Sequence, residues 1–186
     1  MTGRIMFLPL FFAGAALLLV ATAGCGANLN VDPVQIQLAI YTQDCIDVLN
    51  ASTAPGAHLQ LYACGAGKQS QEWMINPVPG SQEVLLKNEN SKLCMSVDSP
   101  YDTAPGQYVI QAACDSANPD MQWKIQPAPS GEAGWQFVNM ASGQCLDDPY
   151  GMTDAPDTFH IQQYTCTPDD PGQGWYNNPV VVGDIP

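Results

Sequence analysis

After residue 24 the chain alternates apolar and polar residues in bursts too short for a helix. The runs HLQLYAC, QYVIQAAC and FHIQQYTC change character at nearly every position and end on Cys64, Cys114 and Cys166. Period two sends successive side chains to opposite faces of an extended backbone, the pattern of a half-buried strand. An Ala-Pro pair precedes each run, at Ala54-Pro55, Ala104-Pro105 and Ala155-Pro156. There the fixed φ and missing N–H of proline favour a turn. No stretch in this part of the sequence carries apolar residues at helical spacing over helix length. The pattern predicts an all-β protein of short strands joined by turns.

The N-terminus follows another rule. An apolar stretch from Ile5 to Val20 comes after Arg4 and is followed by Ala21-Thr22-Ala23-Gly24-Cys25. A basic start, a short apolar middle and small residues before a cut site describe an export signal, and the run is short against the roughly 20 residues that span a membrane. The Ala-Gly-Cys ending resembles the bacterial lipobox, with Thr22 where that motif most often has Leu. The resemblance implies cleavage after Gly24 and lipid attachment to Cys25. Residues 1–24 are thus expected to be a lipoprotein signal peptide and 25–35 a tether, holding the protein on the outer side of a bacterial membrane or cell surface.

Six further cysteines fall as Cys45 and Cys64, Cys94 and Cys114, Cys145 and Cys166, with separations of 19, 20 and 21. None is close enough in sequence to its neighbour to suggest a zinc or redox site. In an oxidising compartment three short-range disulfides are the natural pairing, each constraining the unfolded chain by roughly 3 kcal/mol on a loop-entropy estimate. Fifteen pairings of six cysteines are formally open, and an internal repeat selects this one. Trp73, Trp123 and Trp175 are 50 and 52 residues apart, as are Cys64, Cys114 and Cys166. The run before the first cysteine also recurs, as LLKNENSKLC and FVNMASGQC. Three units of this kind are too few for a propeller, and a closed three-fold β architecture fits better.

Cys-Ile/Leu-Asp, then Gln-x-Tyr-x-Cys or a variant, then Gln-x-Trp, repeated three times, resembles the ricin B-type β-trefoil lectin domain. The resemblance spans about residues 36–176 and implies a β-trefoil of three pseudo-repeats with one intra-repeat disulfide each, a domain of 36–178, and a C-terminal tail of 179–186. Trp73, Trp123 and Trp175 are then core aromatics, with Gln71 and Gln173 satisfying buried backbone groups beside them. The second repeat has Met121 in place of that glutamine, so its corner is expected to be held by packing alone.

Sugar recognition needs an apolar face for the pyranose ring and fixed polar groups for its hydroxyls. The family places a carboxylate two residues after the first cysteine and an aromatic two residues before the second. Here these are Asp47 with Tyr62, and Asp147 with Tyr164; the second repeat has Ser96 and Ala112 and is expected to be inactive. Gln60 and Gln162 share a strand face with the tyrosines and add amides. The family often has Asn before the glutamine of Gln-x-Trp, where this chain has Ser70 and Gly172. The third repeat also carries two extra residues between its aspartate and tyrosine. His58 and His160 occupy the same repeat position as Tyr108, which places them far apart around the three-fold axis and unable to converge on one ion or nucleophile. Tyr101 and Tyr150, each after a proline, are expected in surface loops, with Tyr150 near Asp147.

Charge narrows the partners. Five Lys plus Arg stand against 18 Asp plus Glu, a formal net charge of −13, and loss of Arg4 with the signal would make it −14. Such a chain lacks the basic face that nucleic acid requires, and any membrane attachment has to come from acyl chains. No phosphate loop, metal spacing or Ser-His-Asp grouping is present, and Asp147-Asp148 and Asp169-Asp170 are strand or turn neighbours rather than an acid–base couple. The expectation is a non-enzymatic, membrane-tethered lectin with neither cofactor nor metal, binding neutral galactose- or xylose-type glycans in the first and third repeats. The alternatives are a protein-interaction trefoil, as in an inhibitor or a toxin's receptor-binding subunit, and a targeting subunit of a separate glycoside hydrolase.

Overall fold

The computed structural model describes residues 32–98, 103–129, 134–149 and 160–178. The expected signal peptide, Cys25, most of the tether, Tyr101, Tyr150 and the whole C-terminal tail of 179–186 lie outside the described residues. Among the described residues there are twelve strands, four to a repeat. The first repeat holds β1 (Val34–Leu38), β2 (Tyr41–Val48), β3 (Leu59–Ala63) and β4 (Glu72–Pro77). The second holds β5 (Val84–Asn88), β6 (Cys94–Val97), β7 (Gln107–Ala112) and β8 (Trp123–Pro127). The third holds β9 (Trp135–Asn139), β10 (Cys145–Asp147), β11 (Gln162–Tyr164) and β12 (Trp175–Asn178).

The outer strands of each repeat close into a six-stranded antiparallel ring. β1 pairs β4, β4 pairs β5, β5 pairs β8, β8 pairs β9, β9 pairs β12, and β12 returns to β1. Closure leaves this sheet without an open edge. The inner strands form three hairpins, β2–β3, β6–β7 and β10–β11. The hairpins meet one another through β7–β11 pairing and through the bridges His58–Ile110 and Gln60–His160. A three-fold barrel capped by a hairpin triplet is a β-trefoil, the fold expected from the repeats.

Three disulfides join Cys45 to Cys64, Cys94 to Cys114 and Cys145 to Cys166, one per repeat, with Cα–Cα distances of 5.0–5.1 Å. Each ties the two strands of one hairpin. Trp73, Trp123 and Trp175 are fully buried. A buried indole must place its N–H, and each donates to the carbonyl just after the first cysteine of its own repeat: Ile46 at 3.1 Å, Met95 at 3.4 Å and Leu146 at 3.1 Å. The tryptophan therefore fills the barrel and pins a hairpin onto it. Ile36, Leu38, Val48, Leu59, Leu86, Val109, Phe137 and Ile161 complete the same core.

Gln71 accepts from the Gly65 N–H at 2.9 Å and donates to the Ala63 carbonyl at 3.1 Å. Gln173 does the same with Thr167 N–H at 3.0 Å and Thr165 carbonyl at 2.9 Å. Both glutamines thus hold the backbone on either side of the second cysteine. In the second repeat Met121 packs with Val78, Leu85 and Cys94. Packing is not its only restraint, however, because the next side chain, Gln122, donates to the Ser116 carbonyl at 2.7 Å. A polar tie one residue along takes up part of the missing role.

Each core tryptophan also faces one residue of the next repeat across the ring: Trp73 faces Asn88, Trp123 faces Asn139, and Trp175 faces Leu38. Asn88 and Asn139 are fully buried. Their amides donate to the carbonyls of Ser70 at 3.0 Å and Asp120 at 2.9 Å, and their oxygens accept from the turn N–H groups that follow. Leu38 has no amide to give.

Candidate functional site

The hairpin β2–β3 sets Asp47 directly opposite Gln60, with Tyr62 two rungs away opposite Cys45. Alternation puts all four on one face of the ladder. Asp47 and Gln60 are buried, yet Asp47 Oδ1 and Gln60 Oε1 have no hydrogen-bond partner. The other carboxylate oxygen receives only a long bond from Gln71, 3.4 Å. Two opposed acceptors without donors are costly in a finished core, about 1–3 kcal/mol each, and such an arrangement suits a ligand that brings the donors. A cleft of about 560 Å³ opens beside Asp47. It is lined by Lys68, Gln69, Ser70, Glu72, Asn90 and neighbouring small residues. Of these the sequence reading had named only Asp47 and Ser70. Lys68 comes from the turn leading into the Gln-x-Trp element, Glu72 is that element's middle residue at the start of β4, and Asn90 crosses from the second repeat to donate to the Ala51 carbonyl at 3.0 Å.

Tyr62 does not line the cleft floor. The Lys68 ammonium lies 4.7 Å from its ring centre, within cation–π range, while donating to the Ala63 carbonyl at 3.3 Å. The aromatic face is therefore occupied by a mobile-stemmed cation that an incoming ring has to displace.

The third repeat reproduces the register: Asp147 faces Gln162, and Cys145 faces Tyr164. The two extra residues lie in the β10–β11 connection and do not shift the ladder. Here Gln162 donates to Asp147 Oδ2 at 2.6 Å, and the carboxylate is used internally. Burial raises the Asp147 pKa; the Gln162 bond opposes that, the Asp170 charge adds to it, and Gln173 opposes it. Tyr164 is exposed. In the second repeat Ser96 is buried and donates to the Val97 carbonyl at 3.3 Å, facing Ile110, while Ala112 faces Cys94. Neither carboxylate nor aromatic stands at these two positions.

The position before each Gln-x-Trp element differs in every repeat. Ser70 is buried at the cleft wall. Asp120 is buried too, and its pKa is raised by burial. Gly172 lies so close to the aspartate strand that a Cβ there would meet the Asp148 carbonyl oxygen at 2.4 Å and Asp147 Oδ1 at 3.3 Å.

The histidines overturn one expectation. His58 and His160 are not far apart: their ring centres are 4.6 Å from each other, and each is 5.2 Å from Tyr108. Equivalent positions in three repeats can lie near the pseudo-three-fold axis as well as far from it, and these sit where the three hairpins meet. Burial lowers the His160 pKa, and the neighbouring His58 adds to the effect.

The sequence model of the ricin-type beta-trefoil lectin domain matches residues 33–175. No curated protein matches the chain. Among solved structures, the designed three-fold symmetric protein ThreeFoil is 23% identical with a TM-score of 0.67, the alignment covering 78% of this chain and 96% of that one. The C-half of the earthworm R-type lectin, solved in complex with GalNAc, is 14% identical with a TM-score of 0.57, covering 78% and 97%. An exo-beta-1,3-galactanase from Clostridium thermocellum is 19% identical with a TM-score of 0.68, and this chain spans 80% of itself but only 30% of that enzyme.

Proposed function

Because the chain belongs to the ricin-type β-trefoil lectin domain family, we propose that it is a carbohydrate-binding protein and that the first repeat is its principal site. The observation that carries this is the buried, unpartnered Asp47 Oδ1 at an open cleft, with a second unpartnered acceptor, Gln60 Oε1, on the residue opposite it in the ladder. Sugar hydroxyls are the donors such a pair calls for, since each can also accept from the amides of Gln69 or Asn90. Tyr62 supplies a ring face once Lys68 swings aside. The net charge of −13 favours a neutral glycan of galactose or xylose type over an anionic one. Asp147, Gln162 and Tyr164 form a weaker second site, since a ligand there must first break the Gln162 bond. Lipid attachment at Cys25 would array many copies on a surface, where multivalency raises a modest single-site affinity. The chemistry assigned is binding, without catalysis.

Titration of the full chain with neutral galactosides and xylosides tests this. Asp47→Ala is expected to weaken binding about ten- to hundred-fold, the loss of hydrogen bonds to a charged group, and Asp147→Ala to change it much less. A folded, oxidised parent that binds no neutral glycan would overturn the proposal and favour a protein-interaction trefoil. A glycoside hydrolase that co-purifies with the chain would support the targeting reading, for which the partial match to the galactanase is the motivating observation.

A further inference from the structure

Outside the sugar cleft, one cluster has no role in the lectin reading. His58, Tyr108 and His160 come from equivalent positions of the three repeats and meet at the centre of the hairpin cap. Their backbones are held by the bridges His58–Ile110 and Gln60–His160 and by the Gln162–Tyr108 pair. The two imidazole rings are 4.6 Å apart and tilted by 48°, and Tyr108 packs edge-on against both, at 68° and 64°. In each histidine Nδ1 is buried and has no hydrogen-bond partner. Two such nitrogens in neighbouring rings are unusual, because a buried ring nitrogen ordinarily finds a donor or an acceptor.

We propose that His58 and His160 form a binding site for a first-row divalent transition-metal ion, each giving one ring nitrogen, with Tyr108 walling the third side. The spacing suits it. With an ion–nitrogen distance of about 2.0–2.1 Å and a ring nitrogen about 1.2 Å from its ring centre, two imidazoles bound in cis at roughly 90–100° have centres roughly 4.5–5 Å apart. The observed separation falls in that range without rearrangement of the strands. Among the described residues no group of three or more His, Cys, Asp or Glu is gathered for a metal. The protein therefore supplies two nitrogens, and the rings have to turn to admit the ion, since each Nδ1 is shut off from solvent. Such a ligand set ranks copper(II) first among the divalent ions and accepts its tetragonal geometry. The net charge of −13 raises the local concentration of any cation. His160 bridges Gln60, so the site adjoins the Asp47–Gln60 rung while drawing on imidazoles that do not line the cleft.

Copper(II) titration of the full oxidised chain, read by electron paramagnetic resonance, tests the proposal. The expected result is one ion per chain with hyperfine splitting from two nitrogens, and at least ten-fold weaker binding of that ion in His160→Tyr. That substitution installs the residue the second repeat already uses at this position, and near-ultraviolet circular dichroism of the core tryptophans checks that it folds. A parent spectrum lacking two-nitrogen splitting, or a folded His160→Tyr protein that binds copper as the parent does, would overturn it by placing the ion on carboxylates or at the N-terminus.

Discussion

In the first repeat Asp47 faces Gln60 across a hairpin and keeps Oδ1 without a partner; in the third, Asp147 faces Gln162 and accepts its amide at 2.6 Å. Residue types, spacing along the ladder and disulfide are shared, so the difference arises elsewhere. It traces to the adjoining repeat. Asn88 takes the Ser70 carbonyl and Asn139 takes the Asp120 carbonyl, but Leu38, at the third such position, has no amide. The Gly172 carbonyl instead accepts from the Asp148 N–H at 3.0 Å. Glycine permits that approach, since a side chain there would collide with Asp148. The turn consequently closes over Asp147, whereas Ser70 leaves Asp47 at a cleft. One leucine in the barrel ring thus goes with an occupied carboxylate in the hairpin above.

The contrast can be broken from the amide side with the largest effect. Gln162→Leu removes a hydrogen bond to a buried carboxylate and is expected to cost about 1.5–3 kcal/mol in urea unfolding. Gln60→Leu removes no bond to Asp47 and discards an unpartnered oxygen, so it should be close to neutral. Equal losses in the two variants would mean that both carboxylates are used alike. Exchanging the preceding residues probes the turn. Gly172→Ser should destabilise by about 1–2 kcal/mol through crowding, against roughly 0.5–1 kcal/mol for Ser70→Gly; thermal melts in which Gly172→Ser is harmless would dissolve the steric account.

The smallest effect is the pH dependence. Burial raises the Asp147 pKa in the folded protein, so the native state holds that proton more tightly than the unfolded chain. This contribution stabilises at pH below the unfolded value of about 3.9 and is lost as pH rises through the folded pKa. Asp147→Asn should therefore melt increasingly above the parent as pH climbs from about 4 towards neutrality. A melting-temperature difference that stays flat over that interval would refute it.

Much of the architecture was legible because it repeats. Cys45–Cys64, Cys94–Cys114 and Cys145–Cys166 pair as their spacing indicated, and the three tryptophans occupy one core. Alternation put each Gln on the strand face of its Tyr, but the register that sets Asp47 opposite Gln60 and Asp147 opposite Gln162 is decided by how the hairpins pair. Periodicity specifies angle about an axis and leaves the radius open, which is why His58 and His160 were placed apart when they touch. Cleft residues such as Lys68 and Asn90 belong to segments whose mutual position only tertiary folding decides. Asn88 with Ser91 and Asn139 with Ser142 did leave a signal, an Asn-x-x-Ser before the first cysteine in two repeats. The serines donate at 2.7 Å to Gln111 and Gln163, linking the turn to the hairpin above.

The ring that holds these sites is sealed by β12 against β1, the last strand against the first. During synthesis each hairpin needs partners no more than 21 residues apart to form its disulfide, whereas the barrel cannot close until Trp175 has appeared. Covalent order should thus precede topological order. The chain can emerge as three oxidised but unclosed units, and the slow, long-range step is the final meeting of its two ends.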